Sequence, residues 1–594
     1  MTGDTAVDRE KQAGELPKWK PRKEEWMVVI SIFLLYLMIA LDSTIIVPVL
    51  PTIASDLNGT ATESFWVGTS FLLTNAIFQP FIAVLSDSFG RRALMIVSVT
   101  LFTAGTLIGC LAQNFPTLLA GRSVQGIGSG GIYVLGYVIL SDIVPLRQRA
   151  GFIAIIQIAW AVGTILGPLV GGLFAEHATW RWTFYINFPF CAIGFIMVPI
   201  SVKLKMQEST FMSKIKRVDW IGGFLFIGST TIFLMAVSWG GMQFAWDSAG
   251  TLVPLIIGTV GILATLVYEF RFVKEPFLRK SLFHNRSAIA AYICTIIQGL
   301  QLFVGLYYVP LYFQAVKGRG AIETGLALFP ITSALIPASV MTAALIARYG
   351  RFRWAVWAGW TIITLATGLV LLFEADTKTA VWATLLVIVG IGHGLVLSSL
   401  NLAVQAIAKI ENVAHAVMMY SFLRSVGAAL GVGIGGAVFQ NVMARKLQDL
   451  DLPTEISKNA EGYIHTLQGL PDNSVKDGII DSYLEGIHGV FIVMTTLCGV
   501  ALILSLFIQK HSMDRGNQSD HVLRKPEITT DLEILTRPSV SQTPIDRRSE
   551  YLGISDYEDS IASPSAIEAS YAFHHTTPNP SGISTPNNEW KNRI

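Results

Sequence analysis

The stretch WMVVISIFLLYLMIALDSTIIVPVL, residues 26–50, decides the fold class of this chain. An α-helix rises about 1.5 Å per residue, so about 20 apolar residues cross a hydrocarbon core about 30 Å thick. Similar stretches recur as far as residue 508, and only 14% of the residues are charged, against about 25% in ordinary soluble domains. The sequence therefore predicts an all-α polytopic membrane protein.

Fourteen apolar stretches can be counted, and the loops between them differ in charge. Loops predicted on one side collect most of the Lys and Arg residues. The short loops of the opposite side hold only Arg181, Lys317, Arg319 and Lys378. Because basic residues accumulate in cytoplasmic loops, this bias predicts that both termini are cytosolic.

A glycine repeat relates the two ends of the apolar region. GTILGPLVGG (163–172) and GAALGVGIGG (427–436) match with an offset of 264 residues, which Gly126 and Gly390 share. Such repeats place a substrate site between two halves near the membrane centre. The predicted organisation is a cytosolic segment 1–25, a six-helix half 26–203, a linker 204–287 with two extra membrane helices, a second half 288–508 with a long outer loop 440–487, and a disordered cytosolic tail 509–594.

Ionisable residues deep within the spans are the main functional candidates. Asp42 is the only carboxylate among them, and it is accompanied by Arg122, His393 and Arg424. Charges at this depth are costly and usually face an interior cavity. Asp42 is therefore expected to carry a coupling proton, with Arg122 as its exchange partner. A fixed salt bridge is the structural alternative.

Polar and aromatic residues on inward helix faces are the predicted cavity lining. An apolar pocket with scattered polar groups suits bulky amphipathic ligands. The predicted cavity residues are Asn75, Gln125, Tyr133, Tyr137, Gln157, Gln298, Tyr307, Tyr308 and Arg424.

Two segments are predicted to control which side of the membrane the cavity faces. In 163–172, glycines four residues apart share one helix face and allow close helix contact, while a proline bends the helix. The second segment is the tight turn in LSDSFGRRAL (85–94), for which charge alone favours positive-inside anchoring and a switch role is implied only by a family resemblance. Simple tight packing and positive-inside anchoring are the structural alternatives. The predicted switch residues are Asp87, Gly90, Arg91, Arg92, Gly163, Gly167, Pro168, Gly171 and Gly172.

Together these motifs resemble the major facilitator superfamily, and within it the fourteen-helix drug:proton antiporters, especially fungal multidrug and mycotoxin exporters. LSDSFGRRAL is similar to the family's loop between helices two and three, although Ala83 replaces its usual leading glycine. GTILGPLVGG is similar to the fifth-helix signature of antiporters, and TWRWTFYINFPF (179–190) matches a fourteen-helix signature. The fourth-helix motif, which the family associates with proton transfer, is matched by Arg122, Gln125, Gly126 and Gly128.

The resemblance implies a proton-coupled efflux transporter for hydrophobic or amphipathic small molecules, such as drugs or secondary-metabolite toxins. It is expected to be a plasma-membrane monomer, with the vacuolar membrane as an alternative. The proton gradient would supply the energy, so no cofactor, metal or nucleic-acid partner is expected. Asn58, in Asn58-Gly59-Thr60 of the first outer loop, is a predicted glycosylation site.

Three alternative functions remain open from the sequence. One is a proton-coupled carrier for siderophores or basic amino acids, and another is a non-transporting nutrient receptor that signals through the tail. An intramembrane enzyme is disfavoured, because the chain has no H-E-x-x-H, G-x-S-x-G or Walker sequence.

Overall fold

A computed structural model describes residues 21–513, apart from 60, 205–209, 242, 274–275, 277 and 459. Within these residues every named element is a helix, and fourteen helices are long and apolar enough to cross a membrane. The predicted all-α polytopic class is thus confirmed. Helices α1 to α14, in chain order, span Lys23–Ile45, Ala61–Phe89, Arg91–Cys110, Phe115–Ile143, Leu146–His177, Asn187–Ser201, Trp220–Trp239, Ala249–Arg271, Arg286–Leu311, Phe329–Tyr349, Arg353–Leu369, Thr379–Ile407, Val413–Asp449 and Ser474–Ser505.

Helices α1 to α6 form the first half, in which α4 packs on α2 and α3, and α5 packs along α1. Glycines in α4 make the close approach possible. A Cβ at Gly126 would lie 2.5 Å from the Phe71 carbonyl oxygen of α2, and one at Gly128 would lie 2.3 Å from the Phe102 nitrogen of α3. Any larger residue at these two positions would force the helices apart.

Helices α9 to α14 form the second half and repeat this pairing. Here α12 packs on α10 and α11, and α13 packs along α9. A Cβ at Gly390 would lie 2.3 Å from the Ile331 carbonyl oxygen of α10, and Gly392 faces Ile363 of α11. Equivalent glycines therefore meet equivalent helices in each half, as the 264-residue offset indicates.

Helices α7 and α8 pair with each other beside the two halves. Helix α7 also contacts α2 and α13. In α8, by contrast, only 17% of the most apolar 18-residue stretch is buried. Since lipid is as apolar as a protein core, an exposed apolar helix of this kind is stable in a bilayer. The short helix Phe211–Arg217 precedes α7.

The long loop predicted at 440–487 is shorter in the structure. Helix α13 continues to Asp449 and α14 begins at Ser474, with Glu455–Lys458 and Ala460–Gly469 as short helices between them. The Tyr483 hydroxyl of α14 donates to the Ala460 carbonyl at 2.6 Å. The connection is thus a packed helical cap, whose polar composition concealed its helical periodicity. Most of the N-terminal segment 1–25 and of the tail 509–594 lies outside the described residues.

Candidate functional site

A buried ion pair joins α1 and α4 in the first half. The Asp42 Oδ2 lies 2.7 Å from Arg122 Nη1, and each side chain is only 1% exposed. The Phe71 ring lies 4.2 Å from the Arg122 guanidinium carbon, and Arg122 Nε donates to the Val67 carbonyl at 3.2 Å. The two residues predicted to exchange a proton are therefore in direct contact.

Three further polar residues complete this cluster, which we call the acid cluster: Asp42, Arg122, Gln125, Asn187 and Thr106. Asp42 Oδ1 accepts from Asn187 Nδ2 at 2.7 Å and from Gln125 Nε2 at 2.9 Å. Gln125 also accepts from Arg122 Nη1 at 2.6 Å and donates to Thr106 Oγ1 at 3.0 Å. The carboxylate thus joins α1 to α4 and α6, and Gln125 extends the cluster to α3.

Protonation of Asp42 would disturb this arrangement for a simple reason. An ionised carboxylate only accepts hydrogen bonds, whereas a protonated one must donate one. All three partners of Asp42 donate to it. A proton on Asp42 would therefore find no acceptor among these three partners, and it would remove the negative charge that attracts Arg122.

A small cavity of about 40 Å³ lies between the halves beside the acid cluster. Drug-sized ligands occupy about 300–1,000 Å³, so the structure shows this site in a contracted form. The Phe71 ring contacts both Arg122 and the cavity, which makes it the partition between them. The cavity is lined by Ile39, Ser43, Phe71, Leu72, Asn75, Tyr133, Trp160, Phe303, Arg424, Ser425 and Ala428.

The predicted cavity residues take different places in the structure. Asn75, Tyr133 and Arg424 line the cavity. Gln298 accepts from Arg424 Nε at 3.2 Å, so it reaches the cavity only through that residue. Tyr137 packs edge-on against Tyr133, with ring centroids 5.4 Å apart.

The remaining predicted cavity residues lie further away. Gln157 accepts from the Tyr137 hydroxyl at 3.4 Å. Tyr308 packs against Phe439, with ring centroids 5.9 Å apart, and it belongs to the core of the second half. Tyr307 faces Gly68, where a Cβ would lie 3.8 Å from the tyrosine hydroxyl. Gln125 belongs to the acid cluster, because it lies one turn along α4 from Arg122.

Two hydrogen bonds cross between the halves at the cavity. Arg424 of α13 donates to the Tyr133 hydroxyl of α4, and Gln79 Nε2 of α2 donates to Ser425 Oγ at 2.9 Å. Gln79 also donates to Asn75 Oδ1 at 2.9 Å. These bonds hold the cavity walls together.

The halves also meet at the membrane side that carries the start of α1 and the end of α14, here named the terminal side. Arg91 pairs with Asp87 at 2.5 Å and with Asp142 at 3.1 Å. Asp87 Oδ2 in turn lies 3.5 Å from His415 Nε2 of α13. Gly90 has a φ of 95°, which favours glycine and lets the chain turn between α2 and α3. Arg92 is exposed.

A second contact closes the terminal side between α5 and α10. Arg147 Nε donates to the Ala347 carbonyl at 2.7 Å, and its Nη2 donates to the Arg348 carbonyl at 2.9 Å. Nearby, Arg149 of α5 donates to Gln405 of α12. The structure is therefore closed at this side by contacts from three helix pairs.

The glycine face of α5 packs directly on α1, the helix that carries Asp42. A Cβ at Gly163 would lie 2.6 Å from Ala40 Cβ, one at Gly167 2.0 Å from Thr44 Oγ1, and one at Gly171 2.1 Å from the Ile45 carbonyl oxygen. Gly172 has no such neighbour within 4 Å. Of the predicted switch glycines of this segment, three contact α1 and the fourth does not, while Pro168 lies within α5.

At the side opposite the terminal side, the connection between α1 and α2 is held by a carboxylate. Asp56 accepts from Trp180 Nε1 at 2.7 Å and from Arg181 Nη1 at 3.3 Å. The hydrogen bond from Trp180 and then that from Arg181 lower the pKa of Asp56 below its ordinary value. Asn58 is exposed, and Thr60 of its sequon lies outside the described residues.

The acid cluster contains partners that the sequence did not single out. From the sequence, Asn187 is recognised only as part of the 179–190 motif, and Thr106 is not predicted as a site residue, nor is His415 of the terminal side. The sequence feature that could have identified these residues is a polar side chain within an apolar stretch or at its end. The described residues hold no group of three or more His, Cys, Asp or Glu side chains placed to bind a metal.

Comparisons with known proteins agree on one family. A family model described as Major Facilitator Superfamily matches residues 32–432. The chain is 43% identical to the MFS transporter L2 of Phoma sp. over 88% of both chains. It is 33% identical to the efflux pump FUS6 of Gibberella fujikuroi, over 84% of this chain and 92% of that protein.

The fold also matches a solved transporter structure. A bacterial homolog of the human lysosomal transporter Spinster, in an inward-facing and occupied conformation, aligns with a TM-score of 0.51 and 18% identity. The alignment covers 82% of this chain and 97% of that one. At this identity the likeness concerns the fold alone.

Proposed function

Because this chain belongs to the major facilitator superfamily, we propose that it is a proton-coupled antiporter that exports hydrophobic or amphipathic small molecules. The chain is a multi-pass membrane transporter and not an enzyme. Efflux is the activity named for relatives such as FUS6 and the MFS efflux transporter aclA of Aspergillus oryzae. Beyond efflux, we propose that transport is coupled to protons, that proton and substrate move in opposite directions, and that the substrate is hydrophobic or amphipathic.

The observation that carries the proposal is the acid cluster. The Asp42 carboxylate is 1% exposed and accepts hydrogen bonds from three donors on neighbouring helices. A change in its protonation therefore changes the contacts between these helices. A proton that arrives at Asp42 weakens its attraction to Arg122 and gives the carboxyl group an O–H with no acceptor among its three partners. Buried ionisable groups inside membrane spans commonly form such proton relays.

The transport cycle follows from where these contacts lie. In the cycle we propose, the terminal side is cytosolic and the membrane is the plasma membrane. Proton entry from outside neutralises Asp42 and loosens α1 against α4 and α6. The contacts of Asp87 with His415 and of Arg147 with α10 then release, the cavity opens to the cytosol, and substrate loads as the proton leaves. Rocking of one half on the other is the motion expected for this repeat.

The chemistry of the cavity favours this substrate class over basic amino acids. Its lining is mostly apolar and aromatic, and Arg424 is the one charged residue in it. A basic amino acid would meet a like charge there, and the lining offers no carboxylate to a cationic substrate.

An efflux assay in proteoliposomes tests the proposal. Asp42→Asn removes the titratable group and keeps the side-chain shape, so it should abolish transport driven by a pH gradient. The matched control is Asp56→Asn, a carboxylate outside the membrane spans, which should transport like the wild type. Unchanged pH-driven transport in the folded Asp42→Asn variant would reject proton coupling through this residue.

A further inference from the structure

Arg424 stands out as a buried cation without a countercharge. It is 6% exposed in α13, and no carboxylate lies within ion-pair distance of it in the described part of the chain. Arg122, by comparison, is neutralised by Asp42. An uncompensated charge at this depth is unfavourable and marks a functional site more often than a structural one.

The hydrogen bonds of Arg424 leave part of its guanidinium available. Nε donates to Gln298 Oε1 and Nη1 donates to the Tyr133 hydroxyl. Among the described residues, these bonds leave Nη2 without a partner, and Arg424 itself lines the cavity. A guanidinium presents its donors in a planar fork, which matches the two oxygens of a carboxylate.

Gln298 supplies a second donor next to this fork. Since arginine can only donate, Gln298 must turn its oxygen toward Arg424, which leaves its amide nitrogen free to donate. That nitrogen, Nε2, is buried and has no hydrogen-bond partner among the described residues, and the residue is 1% exposed. Nη2 of Arg424 at the cavity and Nε2 of Gln298 behind it are thus two donors without an acceptor, and expansion of the cavity would bring both to one anionic group.

We propose that the exported substrate is an amphipathic organic acid, carried as its anion, with its carboxylate bound by Arg424 and Gln298. The body of the substrate would lie against Phe71, Trp160 and Phe303, which line the same cavity. This inference rests on the proposed efflux function and narrows its substrate class. Among the described residues that line the cavity, Arg424 alone offers a positive charge to the carboxylate of the substrate.

The same binding would keep the cavity expanded once it has opened. The Tyr133 hydroxyl is bound to Arg424 Nη1 across the two halves in the contracted structure. A carboxylate that binds across Nη1 and Nη2 competes with Tyr133 for Nη1, so bound substrate opposes the re-formation of this bond between the halves. The adjacent bond from Gln79 to Ser425 would then be the remaining one at the cavity.

Binding measurements on the purified full chain in lipid nanodiscs test the proposal. The probes are a panel of aromatic acids, each paired with its neutral amide, such as 1-naphthylacetate and 1-naphthylacetamide. We expect at least one acid to bind the wild type tenfold or more tightly than its amide. Arg424→Gln should remove this preference and change the affinity for the amide less than twofold, while Arg424→Lys should retain part of it.

Arg181→Gln is the control, because Arg181 is a rim arginine that does not line the cavity. Thermal unfolding of each variant shows whether it is folded. If no acid of the panel is preferred by the wild type, or if Arg424→Gln keeps the preference, the proposal is overturned. Failure of the proposed function looks different: acids would still be preferred, but a pH gradient would drive no transport in the wild type.

Discussion

The two halves of the molecule pack alike and differ in charge. In the first half, α1 and α4 are joined by Asp42 and Arg122. In the second half, Gln301 of α9 donates to Thr367 of α11 at 2.9 Å, and Leu386 stands 264 residues after Arg122. The corresponding region of the second half is therefore neutral.

At the cavity, by contrast, the charged residue belongs to the second half. Arg424 of the second half and Trp160 of the first are related by the same offset, and both line the cavity. The first half thus holds a buried acid, Asp42, behind the cavity wall. The second half holds a cation, Arg424, in the wall itself. The comparison teaches that the two halves share their glycine packing but not their charges: the buried ion pair lies in the first half and the unpaired cavity arginine in the second.

The largest effect is expected when the buried ion pair of the first half is replaced by neutral residues. Arg122→Leu leaves the Asp42 carboxylate buried without its countercharge, which costs about 3–5 kcal/mol. The double variant Asp42→Gln with Arg122→Leu should recover most of this stability, because no charge remains buried. Thermal unfolding in detergent measures both.

The same double variant separates folding from function. It should fold and show no pH-driven transport in proteoliposomes. A double variant that is no more stable than Arg122→Leu would show that the ion pair is not the reason for the loss.

A smaller effect is expected from the glycines, and it should be equal in the two halves. A Cβ at Gly171 would lie 2.1 Å from the Ile45 carbonyl oxygen, and one at Gly427 would lie 2.1 Å from the Ile296 carbonyl oxygen. Alanine at either position should therefore destabilise the protein by about 1–3 kcal/mol through overpacking. The unfolding temperature measures this.

Gly172→Ala is the matched control, because a Cβ there meets no atom within 4 Å. It should leave the unfolding temperature close to that of the wild type. Equal effects at Gly171 and Gly172 would contradict the view that α1 contact is what requires glycine in α5.

The smallest effect concerns the outer rim, where the halves again differ. The pKa of Asp56 is lowered by the Trp180 and Arg181 hydrogen bonds, so its contribution to stability is present above the ordinary carboxyl pKa of about 4 and fades as the pH falls through its lowered value. In the second half, Lys317 Nζ donates to the Ala375 and Thr377 carbonyls. Although burial lowers its pKa from 10.5, the lysine stays charged in acid.

Unfolding temperatures measured between pH 3 and pH 7 test this difference. Asp56→Asn should be slightly less stable than the wild type near pH 7, and the two curves should converge toward pH 3. For Lys317→Gln the difference from the wild type should stay constant over the same range. A constant difference for Asp56→Asn would mean that its carboxylate is not held ionised by these partners.

Much of the candidate site could be predicted from residue type and depth. Asp42, Arg122 and Arg424 could be identified because a charge within about 20 apolar residues is energetically costly and usually serves a function. Asn187 and Gln125 could not be assigned correctly in the same way. An amide in a span can face any neighbour, and only the rotation of α4 and α6 about their axes turns both toward Asp42.

The sequence by itself determined the membrane class, the fourteen spans, the glycine repeat and the buried charges, because each depends on local length and composition. Only the tertiary structure decided which side chains meet: Asn187 with Asp42, His415 with Asp87, and Arg424 with Tyr133. The physical reason is that lipid and protein interior are similarly apolar. Hydropathy therefore shows that a helix crosses the membrane and does not show which of its faces turns inward.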